Sequence, residues 1–356
     1  MKTFLKVIGI ILALVLLIVA VYVAYVFIAY HRLGDMKLTP EGEAATSAAQ
    51  TETVYTLVSY NIGFGAYESD YGFFMDGGKE SRAWSKERLD ANLKKIADLL
   101  KEQNADFYFV QEVDIGSTRS YQFDERTYLT PALEGYSNVF AQNYDSPYLF
   151  YPILCPHGAS KSGIMTFSKA GITEAERVEL PIETGLTKLL DLDRCYSKSR
   201  VPVANGKELV LYNFHLSAYT SDGKIANEQL KKLVADMESE YAKGNYCVAG
   251  GDFNKDVLDN SSDYFGKADT EYTWAQPIPA ETFEGTHISP VAPINDDAPV
   301  PSCRNADSAY HEGQFVVTID GFLVTDNVNV LYADVIDTGF AYSDHNPVKF
   351  QFSLKD

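Results

Sequence analysis

A chain of 356 residues with 46% hydrophobic content is long enough to enclose one large core or two smaller ones. Its 49 Asp and Glu against 30 Lys and Arg leave a net charge of −19, and the excess grows when residues 1–37, with four basic residues against Asp35, are set aside. Such a surface repels polyanions at long range and argues against a protein that coats nucleic acid through a basic face. The four cysteines form no Cys/His pair at zinc-ligand spacing, so no zinc site is indicated. Cys247 lies in the apolar run Tyr246-Cys247-Val248-Ala249 and reads as a buried free thiol, with a disulfide among Cys155, Cys195 and Cys303 the lesser alternative.

From Val7 to Tyr30 no residue is charged. A helix of that length, at about 1.5 Å per residue, crosses a hydrocarbon core of roughly 30 Å. A cleaved signal peptide is the competing reading, but its apolar region runs about 7–15 residues before a small-residue cleavage site. This stretch is longer and carries bulky Tyr, Val and Phe near its end, which favours a retained anchor over residues 1–37. Lys2 and Lys6 before the span, against Arg32 and Lys37 after it, favour a single-pass cell-membrane protein with its body on the extracytoplasmic side. Residues 38–53, mostly Ala, Glu, Thr, Ser and Gln with almost no large apolar side chain, read as a flexible linker, so the folded domain is expected over 54–356.

Val54–Asn61 is rich in β-branched and aromatic residues and runs into Gly63 and Gly65, which predicts a strand ending at Asn61. Ser85 then caps a helix with Leu89, Leu93, Ile96 and Leu100 on one face, and Phe107–Val110 forms a short strand delivering Gln111 and Glu112. The same order recurs: a strand over Glu208–Phe214 leads to His215, a helix follows through Leu230, Leu233 and Met237, and Cys247–Ala249 delivers Gly250-Gly251-Asp252-Phe253-Asn254. Residues 255–314, with Pro277, Pro279, Pro290, Pro293, Pro299 and Pro301, read as a long, largely irregular surface loop. Strands over Phe315–Asp320 and Val348–Phe352 flank Ser343-Asp344-His345-Asn346.

Singly, each of these polar residues has a plain structural explanation: an Asx-turn, a solvated carboxylate, a satisfied histidine. Together they fall repeatedly at strand exits, as a site on the rim of a rigid sheet requires. Asn61, Glu112, Asp252, Asn254 and Asp344 are oxygen donors suited to Mg²⁺ or Mn²⁺, and His215 and His345 offer proton transfer near neutral pH. That is the equipment for phosphoester hydrolysis: charge neutralisation at phosphate, activation of a water, and donors aimed at the transition state.

Tyr60-Asn61-Ile62, Gln111-Glu112-Val113-Asp114, Asn213-Phe214-His215, Gly251-Asp252-Phe253-Asn254, Ile319-Asp320-Gly321 and Ser343-Asp344-His345-Asn346-Pro347 resemble, in order, the motifs of the endonuclease/exonuclease/phosphatase superfamily, in its deoxyribonuclease/sphingomyelinase-like branch. The resemblance implies an α/β four-layered sandwich of two packed, mostly antiparallel sheets flanked by helices. It also implies a metal (Mg²⁺ or Mn²⁺) held by Glu112 with Asn61, Asp252 and Asp344. Asp252 and Asn254 would orient or deprotonate the attacking water and hold the phosphate, and His345 would stand at the scissile phosphate with its tautomer fixed by Asp320. His215 would give a proton to the leaving oxygen, while the division of acid and base roles stays open.

Arg119 either contacts a non-bridging phosphate oxygen or forms a surface ion pair, and Arg304 poses the same choice. The aromatic segment Tyr67–Met75 is either a substrate wall, a membrane contact or a small satellite core. The expected function is a divalent-metal-dependent phosphoester, specifically phosphodiester, hydrolase, with nucleic acid, nucleotide and phospholipid head group all open as substrates. The alternative is a membrane-tethered binding protein of the same fold without catalysis.

Overall fold

The computed structural model describes residues 2–183, 193–218, 223–270 and 272–356. In chain order its first half holds α1 (Lys2–Ala29), β1 (Met36–Leu38), β2 (Tyr55–Asn61), α2 (Lys86–Gln103), β3 (Phe107–Asp114), α3 (Arg126–Ala132), β4 (Ser137–Asp145), β5 (Lys161–Ser168) and β6 (Glu174–Glu179). The second half holds β7 (Cys195–Pro202), β8 (Glu208–His215), α4 (Lys224–Tyr241), β9 (Tyr246–Asp252), α5 (Ser262–Phe265), β10 (Ile288–Val291), β11 (Cys303–Arg304), β12 (Val316–Val317), β13 (Asp320–Thr325), β14 (Val328–Val335) and β15 (Val348–Leu354).

Two strand–helix–strand units organise the domain. β2 and β3 run parallel with α2 between them, and β8 and β9 run parallel with α4 between them. A parallel pair needs such a crossover, and each helix returns over the outer face of its own sheet. Antiparallel strands extend the two units into a six-stranded sheet, β14-β15-β2-β3-β5-β4, and a seven-stranded sheet, β1-β6-β7-β8-β9-β13-β10.

Side-chain alternation then builds the layers. On β8, Leu209 and Leu211 point between the sheets and join Leu57, Phe107, Phe109, Val248, Phe322 and Phe350 in a closed core. Val210 and Tyr212 point the other way and pack under Leu230, Leu233 and Met237 of α4. The second sheet repeats the pattern, with Val58, Tyr108 and Val110 beneath Ile96 and Leu100 of α2. The result is helix, sheet, sheet, helix, the four-layered sandwich that the motif resemblance implies. The α2 boundaries follow from local chemistry: Ser85 Oγ accepts from the Arg88 N–H at 3.1 Å, and Asn104 ends the helix in the left-handed region at φ 45°.

Three expectations are corrected. Residues 38–53 are not a flexible linker. β1 pairs with β6, the Glu41, Thr46 and Ala49 backbones bridge to Asn138, Ala170 and Val203, and Ala49 is 1% exposed in the inter-sheet core. Small side chains suit close backbone approach as well as they suit a linker, and here the chain joins the seven-stranded sheet from Met36. The strand expected over Phe315–Asp320 is displaced: Asp320 opens β13 rather than closing a strand, because its Cα partner across the ladder is Asp252. The 255–314 stretch is mainly irregular, yet β10 within it extends the seven-stranded sheet. All four cysteines are free, Cys155 exposed and the other three buried.

Candidate active site

The carboxyl ends of the central strands meet at one rim, and ladder register decides which side chains share it. His215, Asp252 and Asp320 stand in a row across β8, β9 and β13, with Asp252 in register with both neighbours. On the other sheet Asn61 lies beside Gln111. Gln111 Nε2 reaches across to Asn213 Oδ1 at 2.8 Å and to Ser59 Oγ at 3.2 Å, while Asn213 Nδ2 bonds the Met165 carbonyl, so buried amides lock the two sheets at this end.

Glu112 reaches the rim through a break in the β3–β5 register between Val110 and Val113, where its backbone takes a φ of 57°. A left-handed glutamate costs on the order of 1 kcal/mol, a strain that persists where the surroundings fix it and that gathers at functional sites. Asn61 Nδ2 donates to Glu112 Oε1 at 3.3 Å and to Asp252 Oδ2 at 3.0 Å, while its Oδ1 accepts from the Gly63 N–H. Asn61 is thus a bridge that aligns two carboxylates, with its amide oxygen on the Gly63 N–H.

His345 and Asp320 form a dyad, with Nδ1 of the imidazole 2.8 Å from Asp320 Oδ2. Ser302 Oγ donates to the same carboxylate oxygen at 2.7 Å and accepts from the N–H groups of Ile319 and Asp320. The other imidazole nitrogen, Nε2, lies 3.8 Å from Asp252 Oδ2 and 3.7 Å from Cys303 Sγ. Burial opposes the charged imidazole, but Asp320 and Cys303 outweigh it and hold His345 well above its ordinary pKa. His215 Nε2 is 3.5 Å from Asp252 Oδ2, yet burial, with Arg194 and His345 nearby, pushes its pKa well below the usual value. The same rim therefore pushes its two histidines in opposite directions, His345 up and His215 down.

Burial lifts the Asp252 carboxyl to about 7 and the Asp344 carboxyl to about 6. Asp252 accepts the Asn254 N–H at 2.7 Å, and Asn254 Nδ2 is tied to the Leu216 carbonyl. Glu112, Arg119, His215, Asp252, Asn254, Asp344 and His345 line one cavity of ≈ 320 Å³, while Asn61 and Asp320 stand behind its wall. That volume is near the lower end for small-molecule sites, suited to one phosphoester group and its immediate substituents.

Among the described residues, Asp252, Asp320 and His345 form a set of potential metal donors with ligand atoms within 4.8 Å of one another. Asp320 is already committed to His345 and Ser302, so this trio is better described as a proton-handling dyad against a carboxylate. Five carboxylates line the cavity, Asp76, Glu112, Glu183, Asp252 and Asp344, and of these Glu112, Asp252 and Asp344 come from the motif-bearing rim. A divalent cation fits Glu112, Asp252 and Asp344, since it would supply positive charge beside Asp252 and Asp344, whose carboxyls burial raises.

Arg119 proves to be neither a surface ion pair nor a free cation. Its guanidinium forks onto buried Asp114 at 3.0 and 2.9 Å, lies 3.9 Å from the Phe64 ring centre and comes within 4.0 Å of Glu112 Oε2. Arg304 is buried and donates to the carbonyls of Glu68, Tyr71, Asn305 and Ser308, stitching the aromatic segment to the long loop. That segment is mostly a satellite core of Phe64, Tyr67, Tyr71 and Phe73, but Tyr67, Phe73 and Met75 also face the cavity.

Four residues of the site carry no motif in the sequence. Ser302 and Cys303 come from the long loop, where a bridge between Cys303 and His345 places them. Arg194 and His157 also line the cavity. An arginine just ahead of a strand in so acidic a chain was a faint signal for Arg194; the other three had none.

The family model described as the Endonuclease/Exonuclease/phosphatase family matches residues 58–345. Among solved structures, an endonuclease/exonuclease/phosphatase from Beutenbergia cavernae is similar at 16% identity and a TM-score of 0.56, covering 85% of this chain and 72% of that one. One from Bacteroides vulgatus is similar at 15% identity and 0.54, covering 85% and 100%. ANGEL2, a 2′,3′-cyclic phosphatase, is similar at 17% identity and 0.54, covering 90% and 99%. These distant likenesses speak to the fold, and among curated proteins none matches. The match over four fifths of the sequence, the two-sheet sandwich and the motif-bearing rim together place this chain in the endonuclease/exonuclease/phosphatase family.

Proposed function

We propose that this chain is a divalent-cation-dependent phosphodiester hydrolase, anchored in a membrane by α1 with its domain on the extracytoplasmic face. The observation that carries the reading is the meeting, in one cavity, of the Asp320-backed His345, the Asp252 carboxyl at about 7, and Glu112 on a strained backbone. Members of this family are phosphoester hydrolases that generally use divalent metals.

Glu112, Asp252 and Asp344 would hold Mg²⁺ or Mn²⁺, which when bound supplies positive charge at the phosphoryl oxygens and eases deprotonation of water. Asp252 takes the proton of the attacking water, its two oxygens fixed by Asn254 and Asn61. His345, kept protonated by Asp320, gives a proton to the leaving oxygen from Nε2. His215 stays neutral and braces Asp252, so the acid role that the resemblance gave to His215 passes to His345. Arg119 and Asn254 face the non-bridging oxygens.

The full chain in detergent, assayed on bis-p-nitrophenyl phosphate with Mn²⁺ and then EDTA, tests the reading. Turnover that EDTA abolishes is the expected result. Turnover indifferent to chelation would remove the cation from the reading, and no turnover with any divalent ion would leave a membrane-tethered binding protein.

A further inference from the structure

Outside the cavity, the most exposed large apolar side chains of the domain sit together between β4 and β5. Phe150 and Tyr151 are more than half exposed, Ile153 is 83% exposed and Leu154 99%. Single exposed apolar residues are ordinary, but a run of them on one fixed loop marks a contact surface. This loop is fixed. Leu149 and Gly158 exchange two backbone hydrogen bonds at 3.1 Å, His157 N–H bonds the Tyr151 carbonyl, and Ser81 Oγ and Arg82 Nε clamp the Cys155 and Pro156 carbonyls. Its tip is therefore held away from the protein rather than folded onto it.

The far end of α1 shows what covers the tip. Tyr22 OH donates to the Tyr148 carbonyl at 3.2 Å and accepts from the Phe150 N–H at 3.3 Å, Tyr25 OH accepts from the Tyr148 N–H at 3.0 Å, and the Tyr22 and Phe150 rings meet edge-on at 5.3 Å. At about 1.5 Å per residue, Tyr22 and Tyr25 lie ~22 and ~27 Å beyond Val7. In a hydrocarbon core of roughly 30 Å that is the far interface, the depth where tyrosines concentrate. A loop bonded to them is at the same depth. The domain has little freedom to rise from it, because Arg32 Nη2 is tied to the Leu180 carbonyl and β1 begins only seven residues after α1 ends.

The other side of the loop touches the catalytic rim. The Tyr151 ring packs on Phe74 at 5.7 Å and Phe74 on His157 at 5.9 Å, and His157, Phe73 and Met75 line the same cavity as Glu112 and His345. Resting on the anchored hydrolase proposed above, we infer that the 149–158 loop inserts into the bilayer that α1 spans, and that the substrate is the phosphodiester head group of a lipid in that leaflet. Lateral entry from the bilayer supplies the substrate at the cavity rim, where a net charge of −19 would disfavour a nucleic-acid strand arriving from solution.

The test uses the full chain in vesicles of phosphatidylcholine, sphingomyelin and phosphatidylglycerol, with Mn²⁺. Cys155, the one exposed cysteine, carries an environment-sensitive dye at the loop. The expected results are blue-shifted emission quenched by nitroxide-labelled lipid, and release of phosphorylated head group. Ile153→Asp combined with Leu154→Asp should abolish the quenching and lower head-group release at least tenfold, leaving turnover of bis-p-nitrophenyl phosphate within twofold. Water-like dye emission in vesicles, head-group release unchanged in the double variant, or rapid cleavage of single-stranded DNA beside untouched lipid would each overturn the proposal. Loss of the hydrolase reading looks different: the unaltered chain then fails on the soluble diester, while the dye still reports whether the loop is inserted.

Discussion

Glu240 on α4 and Asp252 at the end of β9, the strand that α4 leads into, are both buried carboxylates, and their surroundings push them in opposite directions. Glu240 accepts from Arg200 at 2.7 and 3.1 Å, Lys198 at 3.0 Å, Lys243 at 2.9 Å and Asn245 at 2.8 Å. Burial works against its charge, yet these donors outweigh it and hold the carboxyl well below the usual range. Asp252 has amide donors and imidazoles at 3.5 and 3.8 Å but, among the described residues, no lysine or arginine paired with it, and burial carries it up to about 7. One cluster is complete as it stands and serves the fold. The other is short of positive charge in a cavity open to solvent, which is what a cation-binding, proton-handling site requires.

The comparison breaks most sharply under paired isosteric changes. Asp252→Asn should lower turnover of bis-p-nitrophenyl phosphate by on the order of 10³, within the span that loss of a general base produces, while the melting temperature holds or rises. His345→Ala should cost about as much in turnover, with near-native circular dichroism. If either variant keeps more than a tenth of the activity, the roles assigned to that residue are wrong. Glu240→Gln should do the reverse, losing about 3 kcal/mol of stability in urea unfolding with kcat unchanged.

Acid titration sharpens the same contrast. Because the Glu240 carboxyl is depressed in the folded state, its contribution is fully present above the unfolded value of roughly 4.3 and disappears as pH falls through the lower folded value. Glu240→Gln should therefore flatten the loss of stability below about pH 4 relative to the unaltered chain. A parallel decline in both proteins would show that the cluster does not hold Glu240 ionised.

The sequence made the site more legible than the frame around it. Asn61, Glu112, His215, Asp252, Asp344 and His345 each follow or flank a dense apolar run, and all converge on one rim or the wall behind it. β4 to β7 were not legible, because residues such as Ser137, Asn138, Ser162, Ser197 and Ser199 are buried in those strands and their partners lie in distant parts of the chain. Cys303 was hidden for a similar reason, since only folding brings a loop 42 residues upstream against His345. Residues 38–53 misled through composition: Ala49 reads as linker but fills a slot between the sheets. Removing residues 1–30 should leave a domain of native stability, whereas removing 1–53 should cost about 2 kcal/mol, since it strips β1 from β6 and takes two carbonyl partners, Leu33 and Gly34, from buried Arg177. Equal urea midpoints for the two truncations would restore the flexible linker.

The smallest effect tests the cation directly. A ligand that binds only the folded state stabilises it by about 1.4 kcal/mol at tenfold its Kd, so Mn²⁺ should raise the melting temperature by a few degrees in the absence of substrate. Glu240→Gln should keep that increment on its lower baseline, because its cluster is neutralised by Lys198, Arg200 and Lys243 and offers no place for an ion. Asp252→Asn and Asp344→Asn should each shrink it, since each removes a carboxylate from the cavity that burial leaves short of positive charge. An increment the same size in all four proteins would put the ion elsewhere, and the raised carboxyls of the rim would then need another source of positive charge.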